Sequence, residues 1–146
     1  MSNDITSGIA ISKPITEVYD FVVEPKNKPL VMPDLINISN ISDKPLILGS
    51  TFNFVFQMAG VLLNGTWKVT GLVKPIYYEG TTTGDIASVW KYQLKDGGDE
   101  TKLTLTISYT PPISVLGMMK GMVLNQINKR VADTYLHNLK IILDTE

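Results

Sequence analysis

From Leu35 to Thr110 the hydrophobic pattern has a period of two, and it holds through six strand-length segments with no helical pattern between them. The segments read LINISNI, TFNFVFQM, LLNGTWKVTGL, IYYEGTTT, ASVWKYQL and TKLTLTISYT. Turn residues separate them at 43–45, Gly60, 74–75, 84–85 and 96–98. A parallel crossover needs a dozen or more residues, usually a helix, so strands this closely spaced form consecutive antiparallel hairpins. Phase then selects one face. Phe52, Phe54, Phe56 and Met58 share it, as do Trp67 and Val69, then Trp90, Tyr92 and Leu94, then Leu103, Leu105, Ile107 and Tyr109. Their neighbours Asn53, Gln57, Lys68, Thr70, Lys91, Gln93, Lys102, Thr104 and Thr106 face water.

The flanks differ. Ile5, Ser7, Ile9 and Ile11 alternate with Asp4, Thr6 and Gly8 as a short first strand. Pro14 opens a short helix over 14–23, because its fixed φ suits a first helical turn. The stretch EPKNKPLVMPD carries three prolines and holds only a turn or a second short helical piece. After Pro111 and Pro112 a helical pattern runs over 113–143 without a proline. Val123, Leu124, Ile127, Val131, Tyr135, Leu139 and Ile142 form its apolar stripe, with Lys129, Asp133, His137, Lys140 and Asp144 opposite. Its first three turns are apolar nearly all round, since Val115, Met119 and Met122 occupy the sector that later carries charge. Gly117 and Gly121 dent one side, at a helix-propensity cost of ~1 kcal/mol each relative to alanine. Burial against the 25–33 loops, a cavity mouth and an apolar partner patch all account for such turns.

A chain of 146 residues is near the modal size of one domain, here 1–146. Charged residues make up 18% and hydrophobic ones 44%, against a usual charged share of about 25%, so there is more apolar surface than an ordinary core needs. The formal net charge of −1 argues against nucleic acid as the main partner, since phosphate binding needs a clustered basic excess. Without cysteine there are no disulfides, thiolate metal sites or thiol nucleophiles. The start shows no basic region followed by an apolar one, and no integral membrane segment is long enough to span a bilayer, so a cytoplasmic protein is expected.

Chemistry-bearing motifs are sparse. The single histidine, His137, lies on the polar helix face one turn from Asp133, where an ordinary surface pair is expected. Carboxylate spacing matches no calcium loop, and neither phosphate-binding glycine motif occurs, so no catalytic residue, metal or cofactor is assigned. The DGGDE run at 96–100 reads as a solvated hairpin tip. Trp67, Trp90, Tyr78, Tyr92 and Tyr109 put a few polar tips on an aromatic inner face, which is the composition of a small-molecule pocket or of a core. Glu79 follows Tyr78 and points to the other face.

This order of elements, with ISKPITEVYDFV after the first strand, GTWKVTGLVKP, and ETKLTLTISYTPP before a long terminal helix, resembles the START-like, helix-grip superfamily (SRPBCC). The likeness covers nearly the whole chain. It implies an α+β fold: a seven-stranded curved antiparallel sheet wrapped around a long C-terminal helix, two short helices between strands one and two, and an apolar cavity under the helix. The superfamily includes polyketide cyclases and dehydratases, plant pathogenesis-related ligand carriers, lipid-transfer domains and a carbon monoxide dehydrogenase subunit. No invariant catalytic motif carries over.

The expected function is binding of a hydrophobic or amphipathic small molecule, such as a lipid, an isoprenoid or an aromatic polyketide-like compound, by a carrier or sensor. The alternatives are a cyclase or dehydratase enzyme and an interaction protein, of the kind found with carbon monoxide dehydrogenase or among chaperone activators. Such a protein would dock a protein partner or a second copy through the apolar helix start. The expected ligand-binding set is Phe54, Phe56, Trp67, Tyr78, Trp90 and Tyr109 from the sheet, with Leu116, Met119, Lys120, Met122 and Val123 from the helix. Lys120 either extends its ammonium to solvent or meets the acidic head of a ligand at the cavity mouth.

Overall fold

The computed structural model describes residues 3–145. Strand β1 (Asn3–Ile11) leads into helix α1 (Ile15–Val23), a 3-10 turn (Pro25–Asn27) and a single-turn helix α2 (Lys28–Val31). Six strands follow: β2 (Leu35–Ser39), β3 (Thr51–Met58), β4 (Val61–Val73), β5 (Tyr77–Gly84), β6 (Ala87–Asp96) and β7 (Thr101–Thr110). Helices α3 (Ile113–Leu116) and α4 (Gly121–Asp144) close the chain.

All neighbouring strands are antiparallel, in the order β1-β7-β6-β5-β4-β3-β2. Six strands thus run as a meander, and β1 is added beside β7 with Ile11 opposite Thr101 and Ile5 opposite Ile107. The β3–β4 hairpin turns through Ala59 and Gly60, with φ of 51° and 82°. Two positive φ values make the kind of two-residue turn whose twist matches that of the flanking strands. A bulge between Val69 and Gly71 shifts the register of β4 against β5. The sheet curls into a half-barrel around the long helix, as the resemblance implied.

Period-two burial is clearest in β3, where Phe52, Phe54, Phe56 and Met58 are buried, and in β7, where Leu103, Leu105, Ile107 and Tyr109 are. Each such side chain contributes roughly 1.5–3 kcal/mol of transfer free energy, so a one-residue slip would expose the whole row.

The terminal helix differs from expectation in two respects. It is not continuous over 113–143. Helix α3 ends at Gly117, the chain turns at 117–120, and Lys120 caps α4 with extended backbone (φ −70°, ψ 148°). Breaking the helix there places Gly117 and Gly121 at helix ends, where they avoid most of the interior glycine cost. The buried face is also rotated, comprising Leu124, Asn128, Ala132, Tyr135, Leu136, Leu139 and Leu143, while Val123 is 45% exposed. Polar ties to β1 and to Ser12 just after it hold this roll. Lys140 Nζ donates to the Ala10 carbonyl at 2.7 Å, the Ser12 N–H donates to Asp144 at 2.7 Å, and the Ser7 hydroxyl donates to Asp133. No helix among the described residues is long and apolar enough to cross a membrane.

Candidate functional site

Two glycines let aromatic rings lie on the inner face of the sheet. A Cβ on Gly80 of β5 would overlap the Trp67 indole, and one on Gly65 of β4 would overlap the Phe54 ring. Around Trp67 the rings touch in series. Phe52 stacks on it at 5.7 Å between centroids, Trp90 meets it at 5.8 Å and Tyr78 at 6.0 Å. The series continues through Tyr78–Tyr92 at 5.4 Å and Tyr92–Tyr135 of α4 at 6.4 Å.

Into this aromatic surface α2 inserts Lys28. Its residue is 4% exposed, and its Nζ lies 4.6 Å from the Trp67 ring centroid, 5.0 Å from Tyr92 and 5.6 Å from Tyr78. The ammonium donates to the Tyr92 hydroxyl at 3.1 Å, and Tyr92 is in turn 3.0 Å from the Tyr135 hydroxyl. No carboxylate pairs with Lys28 among the described residues. Burial pushes its pKa down from 10.5 to about 7, because a charge out of water is destabilised relative to the neutral amine. Burial also raises the phenols, Tyr135 to about 12 and Tyr92 well above its ordinary value.

Lys28 lines a cavity between sheet and helices. Phe52, Phe54, Phe56 and Met58 supply one wall, Trp67 and Trp90 the floor, and Ile5, Ile107 and Tyr109 the far side. Met32 and Ile86 close it from the loops and Leu35 from the start of β2, and α4 covers it with Asn128, Val131 and Ala132. Of these residues only Trp90 and Val131 are other than buried. The space open to the centres of water-sized molecules is about 60 Å³, and the whole envelope including its open end is about 740 Å³. The first figure is room for on the order of five waters. A larger occupant requires side chains such as Met32 and Met58 to move, which flexible thioethers do readily.

Polar tips are few. The Thr82 and Ser88 hydroxyls bond each other, Thr82 also donates to the Ile86 carbonyl, and the Trp90 indole N–H donates to Ser88 at 3.0 Å. Tyr109 donates to Asn125 at 3.3 Å. The buried Trp67 N–H and Tyr78 hydroxyl have no hydrogen-bond partner among the described residues.

Of the expected set, Phe54, Phe56, Trp67, Trp90 and Tyr109 line this one cavity. Tyr78 does not. It is fully buried between Trp67 and Tyr92. The helix residues Leu116, Met119, Lys120, Met122 and Val123 also lie outside the lining, because the break at 117–120 carries the chain past the cavity before α4 begins. Met119 packs against the core, Lys120 is exposed, and Ile113, Leu116, Met118, Met122 and Val123 present apolar surface outward. His137 is exposed on the polar face of α4.

Sequence reasoning missed Lys28, Thr82, Ser88 and Asn128. For Lys28 there was a signal: it precedes Val31 and Met32 by three and four residues, so one helical turn puts all three on the same buried face. Asn128 carried no comparable signal, since its position depends on the roll of α4.

No protein-family model matches the sequence, and no curated protein matches it. Solved structures do match. A START superfamily protein from Mycobacterium smegmatis superposes with a TM-score of 0.80 over 97% of both chains at 9% identity. This chain has the START-like fold. Zhui aromatase/cyclase from Streptomyces sp. R1128 shares that fold over 99% of this chain and 94% of its own, with a TM-score of 0.73 and 12% identity. The protein TTHA0849 from Thermus thermophilus matches over 94% of each chain with a TM-score of 0.81 and 12% identity. At such identities the likeness is one of START-like fold alone.

Proposed function

We propose that this protein binds a hydrophobic or amphipathic small molecule in the cavity beneath α4, as a carrier or sensor. The observation behind the reading is an aromatic cavity holding a buried amine and a few hydroxyls, on a START-like fold. Core packing alone gives no reason to keep a lysine among Trp67, Tyr78 and Tyr92, where an apolar side chain of similar length would avoid the desolvation cost. Lipids, isoprenoids and aromatic polyketide-like compounds share the required apolar body with a polar end. Native mass spectrometry of protein purified under mild conditions tests this: a reproducible added mass, lost on denaturation, is expected. Failure of any apolar probe to alter tryptophan emission at high micromolar concentration would count against it, since Trp67 and Trp90 line the cavity.

A second reading has one specific support. The Lys28–Tyr92–Tyr135 chain of hydrogen bonds joins a near-neutral amine to two phenols, a set of groups able to move protons. In an enzyme of the aromatase/cyclase kind, turnover of a polyketone would be lost in Tyr92→Phe while binding persists.

A further inference from the structure

Lys28 is a donor without an anion. An ammonium carries three N–H groups and accepts nothing, and among the described residues Nζ makes one hydrogen bond, to Tyr92. The three rings around it meet the charge through their faces, which compensates a desolvated cation only in part. The described ion pairs, Lys74–Asp20, Lys129–Asp133 and Lys140–Asp144, hold side chains from 25% to 58% exposed, so acids are present at the surface and missing where the buried cation needs one. Titratable groups packed around Nζ are the phenols of Tyr78 on β5, Tyr92 on β6 and Tyr135 on α4. The other polar tips of the cavity are on Trp67, Thr82, Ser88, Trp90, Tyr109 and Asn128, and none of them is a carboxylate.

We infer that the occupant of this cavity is a carboxylic acid, bound as its carboxylate against Lys28 Nζ with its apolar body among Phe54, Phe56, Trp90 and Ile107. The inference rests on the cavity-binding reading above and names the chemistry of its ligand. It moves the acidic anchor from Lys120, exposed at the helix break, to the interior. A carboxylate would supply the missing counter-ion and use the N–H groups that Tyr92 leaves free. It would also restore the proton that burial removes: an amine with a pKa near 7 is mostly neutral at pH 8, and a carboxylate beside it returns it to the charged form. Binding of the anion is therefore coupled to uptake of a proton, and binding of a neutral ligand is not.

Octanoate and octan-1-ol, equal in chain length, provide the test. Calorimetry of the wild-type protein at pH 8 in buffers of different ionisation enthalpy should show close to one proton taken up per octanoate and about none per octanol. Carboxyl-labelled octanoate should keep the carbon-13 shift of a carboxylate when bound. In Lys28→Met, octanoate affinity should fall at least about tenfold while octanol affinity stays within about threefold. Equal changes for the two ligands, or proton uptake that persists in Lys28→Met because the acid enters protonated, would overturn the inference. If Lys28→Met does not fold, proton uptake and the carboxyl shift in the wild-type protein still decide. Octanol binding without octanoate binding defeats this inference alone. Binding of neither ligand defeats it together with the cavity reading.

Discussion

Lys28 Nζ stands 3.1 Å from the Tyr92 hydroxyl, and through that hydroxyl α2 is connected to Tyr135 of α4. The contact joins the one buried lysine of the described residues to the helix that covers the cavity. Burial of that amine also makes stability depend on pH. Below pH 7 the amine is protonated in folded and unfolded chains alike, and the native state carries the full cost of burying the charge. Between 7 and 10.5 the unfolded chain holds more protons, so stability should rise with pH, by on the order of a few kcal/mol in all. Above pH 10 the trend should reverse, because Tyr19 and Tyr135, raised to about 12, stay neutral in the fold while the unfolded phenols ionise. Urea unfolding from pH 6 to 11 checks the shape.

Replacing the amine removes the rising limb. Lys28→Met should be more stable than wild type at pH 7, by about 1–4 kcal/mol, since a buried charge gives way to an apolar side chain that fills similar space. Its stability should be nearly flat between pH 7 and 9. A variant that is less stable at pH 7 would show that the cage of rings compensates the charge, and one that keeps the slope would assign it to another group.

Gly80→Ala should cost about 1–3 kcal/mol, the usual penalty of overpacking, because the new methyl group occupies the position of the Trp67 indole. Trp67 must tilt away from β5. Denaturant unfolding should show the loss, and a changed tryptophan emission spectrum should accompany it.

Ser88→Ala leaves the Trp90 N–H without its acceptor and removes one of the partners of Thr82. Because Trp90 is only partly buried, the loss should be that of an ordinary hydrogen bond, about 0.5–1.5 kcal/mol. Thr82 retains its bond to the Ile86 carbonyl, which should hold the β5–β6 turn in place. Unchanged stability would mean that water reaches the Trp90 indole.

Lys120→Met should leave octanoate affinity within about twofold, since the side chain is exposed outside the cavity. A tenfold loss in this variant would return the acidic anchor to the helix break. Isothermal titration beside Lys28→Met makes the comparison direct.

The strands were legible because their signal is local. One buried face imposes a period of two, and Phe52, Phe54, Phe56 and Met58 or Leu103, Leu105, Ile107 and Tyr109 display it within a single segment. Closely spaced strands then have to pair as antiparallel neighbours, so the meander and its inward aromatic residues could be read from the chain alone. The helix break was harder to read, because Gly117 and Gly121 fit either a dented helix or two helix ends until the packing of Val115 and Leu124 settles which.

The sequence by itself therefore determined the sheet, its inner face and five of the residues lining the cavity. Tertiary structure alone decided the roll of α4 and which groups surround the Lys28 amine. Both depend on contacts between residues far apart in the chain: Lys140 with Ala10, Asp144 with Ser12, and Lys28 with Tyr92. Helical spacing puts Lys28 on one face with Val31 and Met32, but it does not show that three rings, brought from β4, β5 and β6, close around its nitrogen. Periodicity records which face of an element is buried, and it carries no information about which distant groups meet there.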